Sequence, residues 1–409
     1  MIKSKFDVVL QKLSMIFLAL FPILNGYQFF LFLTIGSLPI LALLGLKFIK
    51  NPNLKIVYFP KRYLILWFYL VISYFLSSLG YLEMGIFVPG GLAFCLFSVL
   101  LGFLTLVFDY NYFKKIYRLV FIICAGILIV QEFFSFSMGI KLPMVLPFGE
   151  TTYGISVKEI IAVHMVSPRS SSIFFEPAHM AMYALPLLTM ELFDKNGSHK
   201  LFNLFSLIII ASLLLLRSGN GMLGITVLLT IKVISYIRNG RNFKSLFLLL
   251  LIIPIALYAW NSYTETEVGS AVLERTQELT LDKDAHSFTR IGRGYFVYGE
   301  MPFFNQIFGM SGENLIQREI IRLEGMGSAQ ALYFNGVQSI LIFTGILGLF
   351  MWLLFFTSIY RSGTTLCKVS LIMFLAISLI SSTYLSPIMI IVILLAISQD
   401  KRRLLDNKS

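Results

Sequence analysis

Charge is scarce in this sequence. Only 13% of its 409 residues are Asp, Glu, Lys or Arg, whereas 57% are hydrophobic and the mean hydropathy is +0.82. A water-soluble domain cannot hide that much apolar surface. Continuous apolar runs recur from Leu13 to Ser398 and do not alternate with polar residues, which excludes a membrane barrel. The composition therefore predicts an all-α, polytopic membrane protein that forms one integral membrane domain.

Cysteine is also scarce, and a cleavage site for a signal peptide is lacking. The three cysteines, Cys95, Cys124 and Cys367, are scattered without metal-ligand spacing, which argues against a disulfide framework and against a zinc site. The basic N-terminus leads directly into apolar sequence with no small-residue cleavage motif. We therefore expect a first membrane helix rather than a removed signal peptide.

The net charge of +12 has a membrane explanation. Lysine and arginine collect in the cytoplasmic loops of membrane proteins, so a basic balance does not indicate nucleic acid here. Hydropathy predicts about twelve transmembrane helices, over residues 10–25, 28–49, 63–80, 90–108, 117–137, 173–193, 201–217, 220–237, 245–261, 336–360, 369–383 and 386–399.

Charge decides whether the last apolar run holds one helix or two. Arg361 and Lys368 precede it and Lys401–Arg403 follow it, and both groups belong in the cytoplasm under the positive-inside rule. Both ends inside require an even number of crossings, hence two helices. The same reasoning predicts that both chain termini are cytoplasmic.

Two predicted outer segments are long, over residues 138–172 and 262–335. The second holds ten of the 21 acidic residues and six basic ones. A loop of this length either has helices of its own or works as a lid or binding element. Residues 268–281 have apolar positions at helical spacing and could lie on the membrane surface.

Unusual charges gather where these outer segments meet the helices. The stretch SPRSSSIFFEPAHMAMY, residues 167–183, contains an arginine, a glutamate and a histidine at the start of an apolar helix. Two further segments supply polar residues at the same predicted level, and His164 lies just before this stretch. The full group is His164, Arg169, Glu176, His179, Arg217, His286, Arg290 and Arg293.

Each of these residues also has a structural explanation. Arg217 could be an interfacial arginine whose charged end reaches water. Glu176 could be a helix cap or an ion-pair partner, and His179 could be a hydrogen-bonded core histidine. The group as a whole points further, because ionisable residues at membrane helices are functional candidates. Arginine matches phosphate oxygens bidentately, so a lipid-linked pyrophosphate is the simplest common partner.

Three short motifs resemble a known family. The pattern R-x-x-S-x-F-F-E-P at Arg169–Pro177 resembles the signature region of O-antigen and capsular polysaccharide polymerases, the Wzy family. Residues 332–348, LYFNGVQSILIFTGILG, resemble the loop-to-helix junction of the wider polymerase and O-antigen ligase superfamily. Gly309–Gly312 resembles the glycine pair that precedes this junction. The position before Asn335, where the ligase pattern has histidine, is Phe334, which favours a polymerase over a ligase.

The resemblance implies a GT-C-like membrane glycosyltransferase in the bacterial inner membrane. Such an enzyme joins undecaprenyl-pyrophosphate-linked oligosaccharide repeats in the periplasm, with no metal ion and no other cofactor. A chain-length regulator is a further candidate partner. Glu176, His179 and Arg290 are then the candidate catalytic residues. The candidate pyrophosphate ligands are Arg169, Arg217, Arg290 and Arg293, with His286 and Asn335 in supporting roles.

Three further functions stay open. A flippase for lipid-linked oligosaccharides has a similar size, but it should carry charges in its central cavity. Here the helix interiors are almost free of charge, apart from Glu132 and Lys232 near helix ends, and no hydropathy repeat relates the two halves. The second function is that of an O-antigen ligase, and the third is that of a non-catalytic member of a glycan assembly complex.

Overall fold

A computed structural model provides the structure of the protein. It describes residues 5–30, 33–51, 61–78, 84–148, 151–152, 156–167, 169–194, 202–238, 292–321 and 332–406. The predicted helix at 245–261, together with His286 and Arg290, lies outside these residues.

The described residues are mostly helical. Fifteen helices and one short antiparallel strand pair follow one another in chain order. They are α1 (Lys5–Leu24), β1 (Gln28–Phe30), β2 (Leu33–Thr34), α2 (Ser37–Lys50), α3 (Lys61–Ser78), α4 (Met84–Val107), α5 (Tyr110–Met138), α6 (Val157–Val166), α7 (Pro177–Phe193), α8 (Leu204–Leu215), α9 (Gly219–Arg238), α10 (Arg293–Glu300), α11 (Phe303–Phe308), α12 (Gly312–Gln317), α13 (Gly336–Ser362), α14 (Thr365–Ser378) and α15 (Pro387–Asp406).

The helices are those of a membrane-embedded protein. Among the described residues, α1, α5, α9 and α13 are long and apolar enough to cross a bilayer, and four shorter apolar helices accompany them. The surface of α5 is apolar as well, since Ile122, Ile123, Ile129 and Phe133 are each at least half exposed. Lipid rather than water suits such a surface. The fold class is confirmed in this form, and the number of about twelve spans stays a prediction.

Helix α7 is the centre of the bundle. Nearly all of its residues are buried, on every side of the helix, which is the pattern of a helix enclosed by others. It packs against α5, α8, α9, α14 and α15. Helix α9 approaches closely because Gly224 lacks a side chain, and a Cβ there would lie 2.4 Å from the Leu185 side chain. The packing around α7 therefore fixes the positions of both its ends in the bundle.

A buried ionic network fixes the C-terminal end of α7. Glu191 is 2% exposed and accepts two hydrogen bonds from Arg118 of α5, at 2.7 and 2.6 Å. Lys114 lies 3.4 Å from Glu191 and 3.0 Å from Asp194, and the Asn203 amide donates to Glu191 at 3.1 Å. A buried carboxylate needs this many partners to offset its desolvation. The network joins α5, α7 and the cap of α8.

One predicted helix begins in the wrong place. The sequence indicated a helix over 28–49, but Gln28–Phe30 and Leu33–Thr34 form the strand pair and α2 begins at Ser37. Tertiary contacts override the apolar pattern here. Tyr27 is buried, its backbone pairs with Thr151, and its hydroxyl accepts a hydrogen bond from Leu146 N at 2.9 Å. Residues just before the strands are thereby tied to the chain that follows α5.

Other helix ends follow local capping. Helix α5 begins seven residues earlier than the predicted 117, because Asp109 accepts from the N–H groups of Asn111 and Tyr112. Helix α6 lies in a segment for which the sequence indicated none. The last apolar run is divided as predicted, since α14 and α15 are separate helices that pack against each other.

Helix α13 is broken at Gly345, which has φ +70° and ψ −179°. Gly345 stands nine residues after Gly336, about 14 Å along the helix axis. The turn after α11 fits into the break, with Met310 N donating to Ile342 O at 2.9 Å. The Tyr69 hydroxyl of α3 donates to Thr344 O at 2.7 Å. These contacts replace helix hydrogen bonds that the break removes.

Replacing Gly345 with alanine is expected to destabilise the bundle. A Cβ there would lie 2.1 Å from Ile307 O, and a positive φ costs an L-residue further energy. We expect a loss of about 2 kcal/mol or more in the free energy of unfolding, measured by denaturation in detergent. The matched control is Gly126→Ala in α5, where no atom lies within 4 Å of the new Cβ. That variant should be neutral or slightly more stable, and an equal loss in both would contradict the account of the break.

Candidate anion-binding site

Several helix ends meet near the N-terminal end of α7, and this region is called the polar end here. It contains the last turns of α5, the start of α7, the α8–α9 turn and the start of α13. Gln131 of α5 holds the chain that enters α7. Its Oε1 accepts from Ser172 N at 2.8 Å, and its Nε2 donates to Leu142 O at 2.8 Å and to Ser172 O at 3.1 Å. The residues that precede α7 are therefore fixed to α5.

The next residue, Glu132, brings two of the predicted arginines together. Its Oε2 accepts from Arg217 Nη2 at 2.8 Å, and its Oε1 accepts from Ser170 N at 3.2 Å. Arg169 Nη1 in turn donates to Arg217 O at 3.3 Å. The ion pair is partly shielded, because the side chains of Arg217 and Glu132 are 22% and 13% exposed. Arg169 and Arg217 thus lie side by side at the polar end, where Arg217 binds the Glu132 carboxylate and Arg169 binds the backbone of Arg217.

The backbone of Arg217 is unusual. The residue stands two positions after the last residue of α8, with φ +48°, a conformation in which glycine is the common choice after a helix. An arginine in this conformation costs about 1 kcal/mol or more. The Glu132 carboxylate provides a compensating interaction, and the αL turn lets α9 begin immediately afterwards at Gly219. The guanidinium and the start of α9 are therefore placed together.

Arg169 also lines a basic cleft. The cleft is small and partly open, and its interior of about 10 Å³ has room for about one water molecule. Three of its residues carry basic groups, and none of the described lining residues is acidic. The lining residues are Gln131, Lys141, Leu142, Pro143, His164, Arg169, Ser170 and Ser171. A cleft with this lining suits an anionic group.

His164 is positioned by α6. Ser156 and Glu159 form a capping box at the start of that helix, with Ser156 N donating to Glu159 Oε2 at 2.8 Å. The hydrogen bonds from Ser156 lower the pKa of Glu159. At the other end of α6, His164 Nε2 donates to Phe175 O at 2.7 Å. Nε2 is the donor because a carbonyl oxygen only accepts.

Glu176 and His179 lie at the start of α7 but do not line the cleft. Glu176 is the N-cap residue, is exposed and makes no side-chain capping bond, while Pro177 occupies the first turn. His179 N donates to Glu176 O at 3.1 Å, so both residues belong to the same turn. The structure thus places them at the polar end, on the chain that Gln131 and Glu132 hold.

Arg293 begins α10 and is half-buried. Desolvation lowers its pKa, and in the described part of the chain no hydrogen bond or ion pair reaches its side chain. Gly294 packs on Gln338 of α13, where a Cβ would lie 2.6 Å from the Gln338 side chain. Arg293 is therefore close to the start of α13. Its predicted neighbours Arg290 and His286 lie outside the described residues.

Asn335 caps α13, so its observed contacts are structural. Its Oδ1 accepts from Gln338 N at 2.9 Å, and its Nδ2 donates to Leu379 O at 2.8 Å. A short chain of hydrogen bonds links this cap region to α9. Gly336 N donates to Ser381 O at 2.8 Å, and Ser381 Oγ donates to Asn220 Oδ1 at 2.7 Å. The starts of α9 and α13 thus belong to one polar layer.

Some residues of this site were not among the sequence candidates. Lys141 lines the cleft and donates to Ser135 Oγ at 2.8 Å, and Gln131 organises the neighbouring backbone. The signal in the sequence was the polar pair Gln131 and Glu132 inside a long apolar helix. Among the described residues, no group of three or more His, Cys, Asp or Glu side chains could hold a metal ion.

Replacing Glu132 with glutamine is expected to loosen this end of the bundle. Arg217 would lose its ionic partner and Ser170 N a charged acceptor, so we expect a loss of about 1–3 kcal/mol in the free energy of unfolding, measured in detergent. The control is Glu300→Gln, because Glu300 is exposed at the end of α10. It should change stability by less than about 0.5 kcal/mol. Equal effects would show that the Glu132 contacts contribute nothing specific.

No protein-family model and no curated protein sequence matches this chain. Its function has to be inferred from the chemistry of the polar end.

Proposed function

We propose that the protein is a membrane glycosyltransferase that polymerises undecaprenyl-pyrophosphate-linked oligosaccharide repeats into O-antigen or capsular polysaccharide. The observation that carries the proposal is the basic cleft of Lys141, His164 and Arg169 beside the apolar helix α5. An amphiphile with an apolar tail and a diphosphate suits both surfaces. The R-x-x-S-x-F-F-E-P motif supports the same conclusion, since Arg169 is its first residue.

The proposed reaction is a single displacement at the anomeric carbon of the growing glycan. The terminal hydroxyl oxygen of a second lipid-linked repeat forms the new bond to that carbon. The bond from the carbon to the diphosphate breaks, and its electron pair leaves with the lipid diphosphate. The hydroxyl proton passes to Glu176 or His179, with His286 as the alternative base. The anomeric configuration inverts because attack and departure occur on opposite faces.

The cations act on the leaving group. Negative charge grows on the diphosphate in the transition state, so cations fixed in advance lower the barrier more than they strengthen substrate binding. Arg169 and Lys141 are the first candidates for this contact, with Arg293 and Arg290 from the second long segment. Arg217 is also a candidate, but Glu132 already offsets its charge. We therefore expect its larger contribution to be the placement of Arg169.

We further propose about twelve spans in a bacterial inner membrane, with both termini in the cytoplasm and the polar end in the periplasm. The charge distribution supports this orientation. It predicts that the two ends of α5 lie on opposite sides of the membrane.

Cysteine labelling in intact cells tests the orientation. In a variant without Cys95, Cys124 and Cys367, single cysteines replace the exposed residues Ser137 and Asn111, near the two ends of α5. A membrane-impermeant maleimide should label Ser137→Cys in intact cells and Asn111→Cys only after permeabilisation. The reverse pattern would exclude a periplasmic site at the polar end.

Polymer synthesis by the purified protein tests the function. The protein is reconstituted with lipid-linked repeats, and Arg169, Arg290 and Arg293 are replaced singly by alanine and by lysine. Loss of one charge-assisted contact should slow chain growth by about a hundredfold, and lysine should rescue poorly because it lacks the bidentate geometry. The control is Arg361→Ala at the exposed end of α13, with activity within about twofold of wild type.

The outcomes also separate the competing functions. A flippase or a non-catalytic assembly partner gives no polymer in a purified system, whereas a ligase transfers glycan to a different acceptor without extending it. Unchanged chain length in all the arginine variants would contradict the assignment of these residues to the diphosphate.

A further inference from the structure

The start of α9 contains polar atoms that the fold leaves without partners. Ser218 is the N-cap residue, since its carbonyl oxygen accepts from Met222 N at 3.0 Å. A serine in this position normally accepts from an N–H group two or three residues later. Here Ser218 Oγ is buried and has no hydrogen-bond partner among the residues that the structure describes, and the residue is 2% exposed. The side chain that should cap the helix does not do so.

Asn220, two residues later, also has a buried polar atom without a hydrogen-bond partner among the described residues. It is 5% exposed, and its Oδ1 accepts from Ser381 Oγ at 2.7 Å, but its Nδ2 has no acceptor in the described part of the chain. A buried donor without an acceptor is destabilising, because it has lost its hydrogen bonds to water and gained none in return. Two unsatisfied atoms within one helical turn destabilise the start of α9 unless a further group binds them. Both atoms can donate a hydrogen bond, so the missing group is an acceptor.

The surroundings favour an anion as that acceptor. The first N–H groups of α9 have no intrahelical partners, and the helix dipole is positive at this end. Arg169 donates to the carbonyl oxygen of Arg217, directly before Ser218. Approach is open at Gly219, which is exposed and has no atom within 4 Å of where a Cβ would lie. A cation, two buried side-chain donors and a helix N-terminus therefore meet at a turn whose central residue, Gly219, is exposed.

We propose that the N-terminus of α9, through Ser218 and Asn220, is a phosphate-binding subsite that adjoins the basic cleft. Arg169 connects the two, because it lines the cleft and contacts the turn before α9. The class of ligand is a phosphate or diphosphate ester. The inference rests on the proposed function in one respect: that function supplies the lipid to which the bound diphosphate is attached.

The test is direct binding to the full-length protein in detergent. The probes are farnesyl diphosphate, inorganic pyrophosphate and farnesol, and the measurement is isothermal titration calorimetry. Asn220→Asp keeps the acceptor for Ser381 but exchanges the amide donor for a negative charge. We expect it to weaken diphosphate binding by about tenfold or more. Ser218→Ala removes a donor without adding charge and should weaken binding by about threefold to tenfold.

Two matched variants control for structural effects. Ser381→Ala removes the hydrogen bond that Asn220 Oδ1 accepts and leaves the amide donor in place, so binding should stay within about twofold. Ser370 of α14 is also a buried serine whose Oγ has no partner, but it lies inside a helix. Ser370→Ala should leave binding unchanged. Equal weakening by a control and its matched variant would overturn the inference.

The probes distinguish the sources of phosphate. Tighter binding of farnesyl diphosphate than of pyrophosphate indicates a lipid-linked ligand, and equal binding indicates a free phosphate compound. Unchanged binding in both Asn220→Asp and Ser218→Ala overturns the subsite even if the wild type makes polymer. Weakened binding in these variants supports the subsite even if no polymer forms, in which case only the proposed function fails.

Discussion

The ion pair between Glu132 and Arg217 connects helix ends that are 85 residues apart in the chain. A charge at the end of an apolar helix is costly unless a partner offsets it, so each residue restricts where the other can lie. The same carboxylate binds the backbone at Ser170, which fixes the entry to α7. Arg169 then reaches the carbonyl oxygen of Arg217. The two oxygens of the Glu132 carboxylate thereby fix the position of the basic cleft relative to the start of α9.

Charged residues have a different role at the opposite end of α7. Glu191 is almost fully buried, and Arg118, Lys114 and Asn203 surround it. These contacts occupy most of the hydrogen-bonding capacity of the Glu191 carboxylate, so little is left for a ligand. This is expected for an interaction that joins helices. At the polar end, the cleft is open and its described lining carries three basic groups without an acid. One helix therefore has a closed ionic network at one end and an accessible basic surface at the other.

The helices and the presence of charged residues near their ends could be predicted from the sequence, because apolar run length and charge position determine both. Arg169, Glu176 and Arg217 were recognised for this reason. The sequence did not indicate Lys141 as a neighbour of Arg169, since contacts between residues in different segments depend on the packing of α5. The strand pair before α2 was missed because Tyr27 is held by residues near 146 and 151. The left-handed backbone of Arg217 was also unpredictable, since that conformation usually belongs to glycine.

The break in α13 has a consequence for Arg293. Helix α10 packs on the start of α13, and the turn after α11 occupies the gap at Gly345, where Tyr69 of α3 also binds. The position of Arg293 is thus tied to the break in α13, which stands about 14 Å along the helix axis from Gly336. A thinner or thicker bilayer tilts long helices to match their apolar length. In such a tilt α10 and α11 would move together with α13, because both helices pack on it.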